Sequence, residues 1–192
     1  MNLFSRFLRR RPRDLARDEK GISAVEFALI APVLVVFYFG CVEISTMLIV
    51  DRKVTNVASS VADLVTRQPT IDATEMTNVF NSGVITMAPH DFTPVRIRVS
   101  SIIFDVDGVT PIVDWSEATS NWTALTAGDP VTVPTGMIPT DGSVILSEVE
   151  YDYTSITGLF DAESGLVFDA SRTLGDQYWQ RPRRTEIIDF TT

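Results

Sequence analysis

Residues 22–50 read ISAVEFALIAPVLVVFYFGCVEISTMLIV, and Glu26 and Glu43 are the only charged side chains among them. Between the two glutamates, Phe27–Val42 gives 16 residues without a charge. As a helix this stretch is roughly 24 Å long, against a bilayer hydrocarbon core of about 30 Å. Ile22–Val25 and Ile44–Val50 supply the missing length when both glutamates sit near the interfaces. The stretch therefore predicts one membrane-spanning helix over residues 22–50. Pro32 inside it predicts a kink, because proline removes a backbone hydrogen bond and its ring clashes with the preceding turn. Cys41 in the run reads as an inert, buried small residue.

Charge is distributed unevenly on either side of this run. Residues 1–20 hold seven cations and three anions, whereas the other 172 residues hold nine cations and 22 anions. A basic flank N-terminal to a single span predicts a cytoplasmic N-terminus, which places the acidic body outside the cytoplasm. A secretory signal peptide shares the basic head and apolar core. Here the run is longer, and the nearest small-residue cleavage site, around Ala58–Ser60, lies well beyond Val50. The whole chain of 192 residues has a net charge of −9 and a pI near 4.5. That balance speaks against nucleic acid as a partner, which calls for a basic footprint. One Cys and one His exclude a disulfide framework within the chain and a Cys-rich zinc site. We expect no metal, no cofactor and no catalytic residue.

Beyond Val50, the apolar positions Val54, Val57, Ala58, Val61, Leu64 and Val65 recur at helical spacing. Asp51, Arg52, Lys53, Asn56, Ser59, Ser60, Asp63 and Arg67 fill the opposite face, and Pro69 ends the pattern. One helix over residues 22–67 is predicted, apolar all round in its first half and carrying one stripe in its second, with that stripe packed on a sheet. Asp72 and Glu75 have the spacing of a capping box, and Ile71 and Met76 that of a hydrophobic staple. A second helix is expected from there to about Ala88, with Gly83 weakening its last turn.

The period changes to two from Pro94 onward. Val95, Ile97, Val99, Ser101 and Ile103 alternate with Arg96, Arg98, Ser100 and Ile102, predicting a strand. Asp105-Val106-Asp107-Gly108 reads as a turn, and Val109–Trp115 as a return strand that Pro111 assigns to an edge. Residues 119–143 read as loop. Val144–Thr154 is a strand with Ile145, Val149, Tyr151 and Tyr153 on one face and Glu148, Glu150 and Asp152 on the other. Leu166–Leu174 is a further strand, followed by an aromatic and then basic tail, Gln177–Arg184. The fold class is α+β: a long N-terminal helix whose C-terminal half packs on a small antiparallel sheet, with a short second helix. The expected organisation is a basic leader over 1–21, the transmembrane half of the helix over 22–50, and an extracytoplasmic domain over 51–192 that includes the helix extension 51–67.

The boundary between head and run reads Asp18-Glu19-Lys20-Gly21-Ile22-Ser23-Ala24-Val25-Glu26-Phe27. A carboxylate at the membrane edge is costly enough to need a purpose. It can be an interfacial Glu reaching the headgroups. Alternatively, cleavage after Gly21 frees an amine on Ile22, and Glu26 of one subunit neutralises that amine on a neighbour in low dielectric. The string Gly21-Ile22-Ser23-Ala24-Val25-Glu26-Phe27-Ala28-Leu29-Ile30-Ala31-Pro32 resembles the TadE-like proteins of the Tad (Flp) pilus machinery. Glu148-Val149-Glu150-Tyr151-Asp152-Tyr153 and Tyr178-Trp179-Gln180-Arg181-Pro182-Arg183 are similar to that family's later strand and its basic end. The resemblance implies a minor pilin or pseudopilin that a prepilin peptidase cuts between Gly21 and Ile22, with Glu26 as the pairing carboxylate. It further implies the inner membrane, other pilin subunits and the pilus assembly machinery as partners. Phe27 stands where the short major pilins of such systems have Tyr, and a large domain follows, so the main filament subunit is not the reading.

Other constellations are weaker. Asp105-Val106-Asp107-Gly108 lacks the third ligand and closing Glu of a calcium loop. His90 reads as a loop residue. Glu148 and Glu150, two apart on a strand, share one exposed face. Trp115, Trp122, Tyr151, Tyr153, Tyr178 and Trp179 read as sheet packing rather than a ligand face. Asn121-Trp122-Thr123 matches a glycosylation acceptor, a pattern common by chance. Two other functions fit the same topology: an uncleaved single-pass periplasmic binding domain, and a secreted enzyme released near residue 60.

Overall fold

The computed structural model describes residues 19–139, 141–155 and 171–191. Helix α1 spans Glu19–Thr66 without interruption, with Pro32 inside it. It begins three residues before the expected start and stops one residue short of the expected end. Strand β1 (Thr70–Asp72) follows, then helix α2 (Ala73–Ile85), and strands β2 (Val95–Phe104), β3 (Pro111–Ala118), β4 (Val144–Tyr153), β5 (Arg172–Gln180) and β6 (Asp189–Thr191). The chain divides into two units, residues 1–44 and 45–192.

In the first unit α1 displays large apolar side chains all round. Ile22, Val25, Phe27, Leu29, Phe37 and Tyr38 are all exposed. Among the described residues α1 is the one helix long and apolar enough to cross a membrane, with a mean hydropathy of 2.3 over its best window. Cys41 sits on this exposed helix surface, not in a packed core. Glu43 is buried.

The second unit is organised by the far half of α1. Val50, Val54, Val57, Ala58, Val61 and Val65 are buried in one cluster with Met76 and Phe80 of α2, Val95, Ile97 and Val99 of β2, and Ile145, Val149, Tyr151 and Tyr153 of β4. The expected stripe is thus present with one exception. Leu64 is 37% exposed, whereas Ala62 and Thr66 are buried. At 3.6 residues per turn Leu64 lies roughly a quarter turn from the centre of the buried arc. Ala62 and Thr66 are covered because the segment after β5 returns to this end of the helix, where the Arg183 N–H donates to the Thr66 carbonyl at 3.0 Å.

Helix α2 starts as its sequence dictates. The Asp72 carboxylate accepts from the Glu75 N–H at 2.7 Å, and the Glu75 carboxylate accepts from the Asp72 N–H at 3.2 Å. Ile71 and Met76 are both buried. The helix ends at Ile85, three residues earlier than expected, and Thr86–Ala88 continue as turns. Gly83 is a packing residue within it. A Cβ there would lie 2.8 Å from Val61 Cγ2 and 3.1 Å from Ile97 Cδ1, so only glycine lets α2 approach α1 and β2 this closely. Lys53 of α1 closes the far end of α2: its ammonium donates to the carbonyls of Thr86 and Met87, each at 3.4 Å, and to that of Ala88. Those carbonyls belong to the turns that follow the helix, so Lys53 ties that connection to α1.

The main sheet is antiparallel with strand order β3-β2-β4-β5, and β3 with its Pro111 is an edge. A register shift opposite Ser101/Ile102 bypasses Asp114 of β3. On the outer face a second, smaller cluster forms from Ile102, Ile138, Val144 and Leu146. The loop 119–143 supplies its cover and also pairs Pro130 with Ile112 at the sheet edge. The turn 105–108 is as expected, with Gly108 at φ 65°. Strand β3 runs three residues past Trp115. Of the expected strand Leu166–Leu174, residues 166–170 lie outside the described residues. Strand β5 continues instead through Gln180 and takes in Tyr178 and Trp179 from what read as tail. The pair β1 and β6, parallel and two-stranded, carries too few residues to show a period.

If the α1 stripe holds this domain together, Val61→Asp should lower its thermal midpoint by roughly 10 °C or more, because it removes a buried Val and leaves a carboxylate in the core. Ser60→Asp, on the exposed face, should shift it little. Equal midpoints in thermal melts of the two variants would refute the packing.

Candidate functional site

Two regions carry residues that the sequence singles out. The first is the start of α1. Gly21 lies in the first turn of the helix, and nothing approaches within 4 Å of the position a Cβ would take. Ile22 is exposed, and so is Glu26. Ile22 and Glu26 are four residues apart and share a helix face. Pro32, also exposed, follows on the same helix. Gly21, Ile22 and Glu26 thus lie in the first turns of α1, with Ile22 and Glu26 exposed side by side.

The second region is the end of α1, where the basic segment after β5 docks. Asp63 gathers Arg183 at 2.5 Å and Arg67 one turn on, and the Gln180 amide oxygen accepts from the Arg183 guanidinium at 2.8 Å. Burial pushes the Asp63 carboxyl up, but the hydrogen bond from Arg67 and the charges of Arg183 and Arg67 outweigh it. The net result is a pKa below the usual 3.8. Arg181 points elsewhere and donates to the carbonyls of Met137 and Gly136, both at 2.9 Å, which pins the loop ahead of β4. The chain then reaches Ile188, which is buried and whose carbonyl accepts from the Trp115 indole at 2.7 Å. The Arg-Pro-Arg segment is therefore a clasp, each arginine holding a different element. Its charge pattern was visible in the sequence, but its partners, more than a hundred residues away for Arg183, were not.

The outer sheet face corrects one expectation. Glu148 is buried, not exposed. It accepts from Arg98 at 2.7 Å and from the Gln177 amide at 3.2 Å. Arg98 also lies 4.4 Å from the Trp122 ring centre. Arg96 bridges Glu150 at 2.9 Å and Asp152 at 2.8 Å. The carboxylates of β4 are matched across the strand pair by the arginines of β2, a packing role consistent with the register Arg96↔Glu150 and Arg98↔Glu148. Asp107 spends its carboxylate on its own turn, accepting from the Val109 and Thr110 N–H groups at 2.8 and 2.9 Å. Asn121 donates to the Val95 carbonyl at 2.8 Å. His90 lies in the loop after α2. Among the described residues no group of three or more His, Cys, Asp or Glu is placed to hold a metal ion.

The molecule is an α+β protein whose long N-terminal helix is membrane-compatible along one half and domain-forming along the other. Residues 21–63 match the model of the TadE-like protein family, in agreement with the resemblance carried by Gly21–Pro32. The match begins at Gly21 and ends inside α1, so the sheet and the Arg-Pro-Arg segment lie outside it. No curated protein and no solved structure matches the chain.

A carboxyl with a lowered folded-state pKa contributes stability that is present above its unfolded pKa and is lost as pH falls through its folded pKa. Asp63→Asn should therefore destabilise the domain at pH 7 and progressively less below about pH 4. An identical loss at pH 7 and at pH 3, measured by urea titration, would show that the charge of Asp63 does not hold the clasp.

Proposed function

We propose that this chain is a structural component of a Tad-type pilus, a minor pilin or pseudopilin. In this reading α1 anchors the precursor in the bacterial inner membrane, with residues 1–21 in the cytoplasm and the α+β domain outside. A prepilin peptidase cuts between Gly21 and Ile22, and the mature chain joins other pilins through the assembly machinery. The observation that carries the reading is the family match beginning at Gly21, the residue at the charged-to-apolar boundary.

Elementary chemistry supports each step. Glycine is the poorest helix former after proline, by about 1 kcal/mol relative to alanine. At the first turn, where few backbone bonds are at stake, it lets the scissile bond open into an extended form. Cleavage removes the basic head and leaves an ammonium on Ile22. In a filament interior that charge is costly alone, and Glu26 of a neighbour neutralises it and sets the subunit register. Pro32 is proposed to bend or loosen the helix where it must repack from lipid to protein, because its ring removes one backbone bond.

The mass of the mature chain tests the cut. It should correspond to a start at Ile22, and Gly21→Lys should leave full-length precursor. Normal-sized mature protein from that variant would exclude processing at this bond. An intact Met1 terminus in the wild type would favour a permanent anchor.

Glu26→Gln separates pairing from simple interfacial placement. An interfacial carboxylate would tolerate the change. A paired one would not, since stranding its buried partner costs about 3–5 kcal/mol. Incorporation into pili should fall by more than a hundredfold while precursor levels in the membrane hold. Wild-type incorporation would eliminate the pairing.

A further inference from the structure

The lower end of the domain carries an apolar surface that the packing of α1 on the sheet does not use. Its height along α1 is set by contacts already described. Val50 is wholly buried and Met47 packs against the same cluster, so the domain begins while the apolar run is still in progress. Leu48 and Ile49, on the other side of that turn, are 52% and 53% exposed. Lys53 binds the carbonyls of residues 86–88, which places the C-terminal end of α2 level with Asp51-Arg52-Lys53, the first polar residues past the run. The segment around that end presents Ile85, 66% exposed, and Phe92, 44% exposed.

The direction of the strands confirms which end this is. Gly83 meets Val57 and Val61, and Ile97 meets Gly83, so the chain passes back up α1 as it enters β2. At about 3.3 Å per residue, the ten residues of β2 carry the 105–110 turn roughly 30 Å away from Phe92. Val106 and Val109 are exposed on that distant turn.

We propose that Leu48, Ile49, Ile85 and Phe92 form a membrane-resting surface. Phe92 and Ile85 seat in the headgroup–acyl boundary of the same bilayer that α1 crosses. This rests on the reading of α1 as a membrane span. The occupant is lipid because Leu48 and Ile49 belong to the last turns of the apolar run 22–50 and the surface lies at the level where that run ends. An aromatic and an aliphatic side chain at that level suit the interface, where apolar groups seat below polar ones. The polar groups facing the same level are compatible with shallow seating. The Lys53 ammonium is occupied by carbonyls, and the Asp91 carboxylate accepts from the Thr93 N–H at 3.0 Å and hydroxyl at 2.9 Å. Arg52 is exposed to meet anionic headgroups, Asp51 beside it stays in water, and His90 lies in the same loop. The contact holds the domain against the membrane in the precursor and is surrendered when the subunit leaves the bilayer.

The test uses the full chain reconstituted in vesicles of phosphatidylethanolamine and phosphatidylglycerol. An environment-sensitive fluorophore is attached at one cysteine at a time: native Cys41, or Ile85→Cys, Phe92→Cys or Val106→Cys in a Cys41→Ser background. Labels at 41, 85 and 92 should be blue-shifted and quenched severalfold by nitroxide-bearing lipid. The label at 106 should remain water-like. Labels at 85 and 92 that behave like 106, with Cys41 still quenched, overturn the resting surface and leave the span in place. A label at Cys41 that is not quenched overturns the span, and the resting surface with it. Quenching at 106 equal to that at 92 also overturns the proposal, because it shows contact without location.

Discussion

One backbone-hydrogen-bonded cylinder, α1, has to satisfy two different environments along its length. An α-helix satisfies its own interior N–H and C=O groups, so what changes along it is only the side-chain surface. Up to Ile44 that surface is apolar all round, with no face that water favours. From Asp51 onward it narrows to a stripe, and a stripe must find a partner. Helix α2, the inner face of the sheet and the tail after β5 are arranged around that requirement. Their apolar residues gather on Val50, Val54, Val57, Val61 and Val65.

The polar ends left by this arrangement are settled by specific partners rather than by water alone. Lys53 takes the carbonyls of the turn after α2, Arg183 takes the Thr66 carbonyl and the Asp63 carboxylate, and Asp72 with Glu75 closes the start of α2. Buried or half-buried polar groups without partners are expensive, so these contacts tie elements together where apolar packing runs out. The outer sheet face follows the same logic. Arg96 and Arg98 stand directly across from Glu150 and Glu148, which lets charged residues sit on a strand that is buried on its other side.

Under the proposed function, a helix of this kind has to move between lipid and a protein assembly. Its apolar half can be covered by either, while the domain keeps its own core independent of that exchange. In the proposed pilin role, the carboxylate at Glu26 is the specific element on an otherwise non-directional surface. Apolar contact does not define register, whereas one charge pair in low dielectric does.

Much was legible in the sequence wherever a period or a local motif decided the structure. The apolar run, the stripe, the capping box and the alternation of β2 and β4 are all properties of near neighbours in the chain, and each appears in the structure. That Gly21, Ile22 and Glu26 fall on one helix was legible for the same reason, since the apolar run that follows them carries its own helical length. What the sequence left open depended on distant segments meeting. Leu64 lies outside the buried arc and Thr66 inside it because a tail from beyond β5 covers that side. Gly83 looked like a weak point and is instead the place where two helices and a strand come closest. Helix α2 stops at Ile85, with Lys53 of the other helix set over the carbonyls of the turn that follows. The clasp around Asp63 joins groups separated by more than a hundred residues, and β1 and β6 are too short to show any period before they pair. Periodicity tells a residue which way to face; only the folded chain determines what it faces.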